Sequence, residues 1–312
     1  MIGAKLSRQT GRGVNSPPRE KSGTHDRPAT WWRMARLLGW AATVLAVAWG
    51  LQQLDRYART PQPSLTGELE WVGLPAWLTT RGSEPILRDI GAATGLSGSI
   101  DVQDADLCRR VGEGLRSSPW VAEVKRITKQ ANGRVRIEAT YREPFALVEV
   151  GGVAYLVDRA AVRLPVRYAL SQVEERYWND WFRITGVSAP TPNEGEAWTG
   201  ADLATGLHLI EFLKEAIARG EVPFRSSLRA IDVANFKRHE DALDGELRIW
   251  TIYPHCYINW GLPPGEEYSM EPPAATKLAM LRTLYADRGQ LPDNILDVRW
   301  FTGIKIGKLK RG

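Results

Sequence analysis

Residues 134–142 alternate without a break. Val135, Ile137, Ala139 and Tyr141 fall on one side of an extended chain, and Arg134, Arg136, Glu138, Thr140 and Arg142 on the other. Successive side chains of a strand point to opposite faces, so this period of two demands a sheet covered on one face and wet on the other. Residues 120–128 are also strand-like, and Asn132-Gly133 between the two runs favours a tight type I′ hairpin. Upstream, Leu107, Val111 and Leu115 recur every four residues within 104–115, a helix with Asp101 or Asp104 as candidate N-cap. Residues 84–93 form a second, weaker helix. Residues 69–78 are apolar and Trp-rich but interrupted by Pro75, so they are either a first strand or an apolar pad. Two helices and a closing hairpin imply a small α/β layer with its helices on one face of the sheet. Pro144 has no N–H for a ladder bond and marks the end of that unit.

The second half is dominated by strands. Residues 145–150 and 154–158 flank the hairpin signal Gly151-Gly152, and further strands are expected at 182–185, 228–233, 246–252 and 257–260. A helix at 202–218 carries Leu203, Leu207, Ile210, Leu213 and Ile217 on one face and ends at Gly220. Another, at 273–288, starts with proline and is followed by Gly289. The last strand, 295–306, is expected to bend near Gly303.

One stretch near the N-terminus has a different character. Residues 37–54 contain no charge, and a bilayer core needs about 20 helical residues, with a lower end near 17. A buried core helix and a cleavable signal peptide compete with a spanning helix. Arg36 and Asp55 bracket the run, which opposes burial in a core. Ala46-Val47-Ala48 resembles a cleavage site, but the polar region before it is long for a signal peptide, and Trp40 and Trp49 suit the interfaces of a retained helix. The reading adopted is a single transmembrane helix. Residues 1–36 hold eight Lys/Arg against Glu20 and Asp26, which places that end in the cytoplasm and the bulk outside it. Rich in Gly, Pro and Ser, the tail is read as disordered.

Of 41 basic and 36 acidic residues in the chain, 8 and 2 lie in that tail, leaving 33 and 34 elsewhere. The net charge of +5 therefore belongs to the tail and gives no reason to infer a nucleic-acid surface. Two cysteines, Cys108 and Cys256, are too few for a disulfide scaffold; they are free thiols or, in an oxidising compartment, a pair. The chain contains no Gly-x-Ser-x-Gly, Ser-x-x-Lys, Cys-x-x-Cys or phosphate loop. His239-Glu240 opens like a zinc-protease motif, but Leu243 stands where its second histidine must be. His208 falls in an otherwise apolar helix and is read as a satisfied or partly buried side chain. The expectation is a protein that is not an enzyme, with no cofactor and no metal.

From Ser118-Pro119-Trp120-Val121 onward the chain resembles the FtsQ/DivIB family of bacterial cell-division proteins. Pro-Trp-Val opens a strand, the hairpin follows, and then come Arg142-Glu143-Pro144 and Val157-Asp158. The glycine the family usually has after that Asp is replaced by Ala160 or Ala161. Tyr257-Ile258-Asn259-Trp260-Gly261, Lys277-Leu278 on a helix, and the run from Leu296 through Asp297, Val298 and Arg299 to Gly303 follow the family's order. The likeness covers most of residues 34–306, with 65–103 matching poorly.

The resemblance implies an α+β protein with one N-terminal transmembrane helix. Its parts are a cytoplasmic tail (1–36), the helix (37–54), a POTRA-like domain (60–143) and a strand-dominated β domain (144–312). It further implies a non-enzymatic bitopic scaffold of the divisome, in the inner membrane at the septum. A partner strand from an FtsB/FtsL-type protein would add to the C-terminal edge at Arg299, Trp300, Thr302 and Gly303, other septal proteins would meet the POTRA-like domain, and the helix would meet the lipid bilayer. Two other readings stand beside it: a POTRA-containing envelope assembly or transport component, and a membrane-tethered cell-wall enzyme.

Overall fold

The computed structural model describes residues 29–59, 65–66, 68–96, 99–100, 104–130, 132–172, 181–238 and 245–307. The chain divides into two compact units, Met1–Pro63 and Ser64–Gly312.

In the first unit the described residues form one helix, α1 (Ala29–Arg59). It contains the run expected to cross a bilayer, and that expectation is overturned. Among the described residues, no helix is long and apolar enough to span a membrane. The reason lies in the make-up of the run: Gln52, Gln53, Gly39, Gly50 and Thr43 dilute its Leu, Val and Ala, and the helix continues through Asp55, Arg56 and Arg59. The single-pass topology presupposed such a span and falls with it. The 1–36 tail lies outside the described residues over 1–28, whereas 29–36 belong to α1.

The second unit opens with a small sheet. Short strands β1 (Leu65–Thr66) and β3 (Ser99–Ile100) pair with each other. Between and after them come β2 (Glu68–Val72), a single turn α2 (Ala76–Thr79), α3 (Glu84–Ala93), α4 (Leu107–Ser117), β4 (Val121–Lys129) and β5 (Arg134–Tyr141). The sheet order is β2-β5-β4, with β2 parallel and β4 antiparallel to the central β5. Along β5 exposure alternates residue by residue, as a strand with one covered face requires. Val135 and Ile137 are fully buried, together with Ile90 of α3 and Leu107, Val111 and Leu115 of α4. The wet face carries ion pairs to β2, Arg134–Glu68 at 2.9 Å and Arg136–Glu70 at 3.9 Å. α4 starts after Asp106, whose side chain does not cap it; of the two proposed caps, Asp104 lies two residues further upstream and Asp101 is outside the described residues.

The turn between β4 and β5 closes by the Gly133 N–H donating to Gln130 O at 3.1 Å, with Gly133 at φ 82°; residue 131, on which the type I′ expectation also bears, lies outside the described residues.

A nine-stranded sheet follows. It contains β6 (Pro144–Val150), β7 (Val153–Asp158), β8 (Arg163–Ala169), β9 (Phe182–Thr185), β10 (Leu228–Asp232), β11 (Leu247–Thr251), β12 (Tyr257–Gly261), β13 (Ile295–Asp297) and β14 (Lys305–Gly307), with helices α5 (Ala201–Ala218) and α6 (Ala274–Arg288). The spatial order is β14-β13-β12-β11-β10-β9-β6-β7-β8. β9 runs parallel to both its neighbours, β6 and β10, and β13 runs parallel to β12. Parallel neighbours need a long crossover, and α5 and α6 supply two of them.

Both faces of β6 and β7 are buried. Val148 and Val157 join the core that α5 and α6 cover, and Leu147, Ala154 and Leu156 join the core of the small sheet. The two sheets are thus joined through a shared apolar layer. Beside that layer Arg142 Nη1 donates to Asp158 Oδ2 at 2.9 Å, and Asp158 Oδ1 accepts the Val162 N–H at 2.8 Å.

Candidate binding edge

The last stretch, expected as one bent strand, is a hairpin. Ile295 pairs with Gly307, Leu296 with Ile306 and Asp297 with Lys305, leaving residues 298–304 as its loop. Gly303 at φ 111° and its N–H bond to Trp300 O (3.2 Å) turn the chain there. Arg299, Trp300, Thr302 and Gly303 are therefore brought together on the loop and not on the edge strand. This changes what they can do. Strand neighbours face opposite sides, so one of Trp300 and Phe301 would have been core; in the loop both are exposed, at 41% and 61%.

Asp297 organises this loop. Its carboxylate accepts Arg299 Nε (2.9 Å) and Nη2 (2.7 Å), the Arg299 backbone N–H (3.1 Å) and the Trp300 indole N–H (3.1 Å). Burial alone would raise its pKa, but the hydrogen bonds from Arg299 and Trp300 outweigh burial and hold the carboxyl below the usual carboxylate range. The exposed Trp300 ring is met from β14 by Lys305, whose ammonium lies 3.3 Å from the ring centroid, a cation–π contact. Ile306, 44% exposed, continues the apolar surface onto the edge. Among the described residues β14 pairs with one strand, β13, so its other side is a sheet edge that presents backbone N–H and C=O groups.

Beneath the hairpin lies a second polar cluster that sequence reasoning missed. Lys277 of α6 is fully buried, and its ammonium donates to Glu271 Oε1 at 2.5 Å. Glu271 Oε1 also accepts the Leu262 N–H at 2.9 Å. Burial pushes the Lys277 ammonium pKa down, opposed by Glu271. The signal was present in the sequence, since Lys277 falls within the apolar stripe Ala274, Leu278, Leu281 and a buried lysine needs a partner.

Elsewhere, an open cleft of about 300 Å³ is lined by Phe145, Arg159, Ala161, Leu207, His208 and Glu211, among others. His208 is exposed there, not buried. Arg159 is paired with Glu211 at 2.7 Å, and the nearby Lys214 ammonium donates to Phe145 O at 2.7 Å. Burial, against the pull of Glu143, lowers the Lys214 pKa to about 8. A nucleophile held by a base, itself held by a third group, is not assembled by these residues. Among the described residues no group of three or more His, Cys, Asp or Glu could hold a metal ion. Cys108 and Cys256 are free, the latter buried.

No model of a known protein family matches this chain, and no curated protein matches it.

Proposed function

We propose that this chain is a non-enzymatic binding scaffold of the FtsQ/DivIB type, which takes up a strand of a partner protein along β14 at the bacterial division site. The observation that carries the reading is the one-sided pairing of β14 beside exposed Trp300, Phe301 and Ile306. Strand addition draws its affinity from main-chain hydrogen bonds along such an edge and its specificity from alternate side chains. Trp300, fixed through its indole by Asp297, is a pre-set anchor that spares the cost of ordering it on binding. The partners proposed are FtsB/FtsL-type division proteins at this edge and further septal proteins at the 60–143 unit.

The test is photocrosslinking in cells, with benzoylphenylalanine in place of Ile306 in the full chain. A second probe replaces Tyr168 on β8, the strand at the opposite end of the sheet. The expected result is a small division protein captured from position 306 and absent from 168. Trp300→Ala and Thr302→Asp should each cut that adduct by roughly tenfold or more, as an interface anchor does. The same adducts from both positions, or envelope-assembly clients in place of division proteins, would overturn the reading.

A further inference from the structure

We infer that the buried Lys277–Glu271 pair positions the edge hairpin: Lys277 neutralises Glu271 so that Asp297 keeps hold of Arg299. The inference rests on the reading of that hairpin as the binding edge, and it is carried by geometry at Gly261. This glycine has φ 91°, and a Cβ built on it would come within 2.1 Å of Glu271 Oε1 and 2.9 Å of Arg299 Cγ. The Glu271 carboxylate and the Arg299 stem therefore lie against the same bare patch of backbone. Glu271 is held by the Lys277 ammonium from α6, and the stem of Arg299 from the hairpin lies beside the same glycine.

Glu271 lies against the same glycine as the Arg299 stem, and Asp297 faces the Arg299 guanidinium. Asp297 holds it with both oxygens and shares one of them with the Trp300 indole. Lys277, fully buried and 5.2 Å from the Trp260 ring centroid, has its charge directed at Glu271. Removing that ammonium leaves a buried carboxylate without its nearest cation, which is strongly unfavourable. A second cationic side chain at the Gly261 patch is that of Arg299. Drawing Arg299 toward Glu271 loosens its grip on Asp297 and frees the Trp300 indole with it. Lys277 is in this sense a positioning residue, acting on Trp300 through three intervening side chains.

The experiment is amide hydrogen exchange, read by mass spectrometry on the full chain without any partner. Lys277→Met should speed exchange across residues 298–306 by roughly tenfold relative to the β4–β5 strands of the same molecule. Lys277→Met with Glu271→Gln should restore the wild-type rate, because the competing carboxylate is gone while an acceptor for the Leu262 N–H remains. Glu271→Gln alone should leave the hairpin at the wild-type rate, which keeps the test decisive if Lys277→Met fails to fold. A uniform rise over the whole chain in Lys277→Met would overturn the inference, as would a loosened hairpin in Glu271→Gln or in the double variant. The readout needs no partner, so its failure is separable from failure of the strand-addition reading, which the crosslink at position 306 decides.

Discussion

Ala161 turns with φ 60°, a conformation that costs an L-residue about 1–2 kcal/mol. It persists because its neighbours hold it. Its N–H donates to Asp158 O at 3.1 Å, and its carbonyl accepts the Trp198 N–H at 2.8 Å. Glycine would adopt this φ without strain, and a β-branched side chain would add to the strain. Ala161→Gly is therefore expected to keep or raise the denaturant midpoint, whereas Ala161→Val should lower stability by about 2 kcal/mol. Equal midpoints for the two variants would show that the turn relaxes freely. That the turn is left-handed was not legible, because Ala160 and Ala161 stand side by side here and neither announces a positive φ. Which alanine takes the turn depends on the bond from Trp198, some forty residues away in the chain, and no local pattern encodes that. The Asp297 clasp was hidden for a similar reason: its partners Arg299 and Trp300 are close in sequence, but only the hairpin turns them toward it.

Elements with strong local periodicity were the most legible. β5 and α4 lie where alternation and the four-residue apolar repeat put them, because burial of one face dictates both the pattern and the structure. Ile137→Asp should accordingly unfold the small sheet, at a cost above about 3 kcal/mol for a buried unpaired carboxylate. Arg136→Gln, on the wet face next to it, should shift the melting temperature by only a few degrees. Comparable melting temperatures for the two would mean that β5 is not the centre of that core. β8 escaped notice because Pro165 interrupts it and its side chains do not alternate cleanly between wet and dry. The β13–β14 hairpin read as one strand because its loop carries Trp300 and Phe301, residues that favour strands elsewhere. Nor does any local signal announce that β9 slots between β6 and β10, since that position depends on partners distant in the chain.

Across the molecule, the two sheets on either side of Pro144 share one apolar core. The small sheet's core includes Leu147, Ala154, Leu156 and Leu164 from the large one, and residues 64–312 form a single compact unit. Calorimetry on the full chain should show one transition for this unit, with calorimetric and van't Hoff enthalpies in agreement. A fragment of residues 64–143 should lack near-ultraviolet dichroism, because one side of its core is missing. Two separate transitions, or a fragment that melts cooperatively, would contradict a shared core. Composition and the Pro144 signal pointed to the two sheets. The layer that joins them was not legible, because β6 reads as apolar on both faces and a sequence does not say what covers each.

The place of β14 in the sheet has a consequence for biogenesis. It leans on β13, which runs parallel to β12 only once α6 has folded back across the sheet, and β12 depends in turn on the strands before it. A nascent chain still lacking any of these pieces has no such edge to present. That edge therefore exists only in a chain extended through β14, and a copy stalled before residue 305 does not form it.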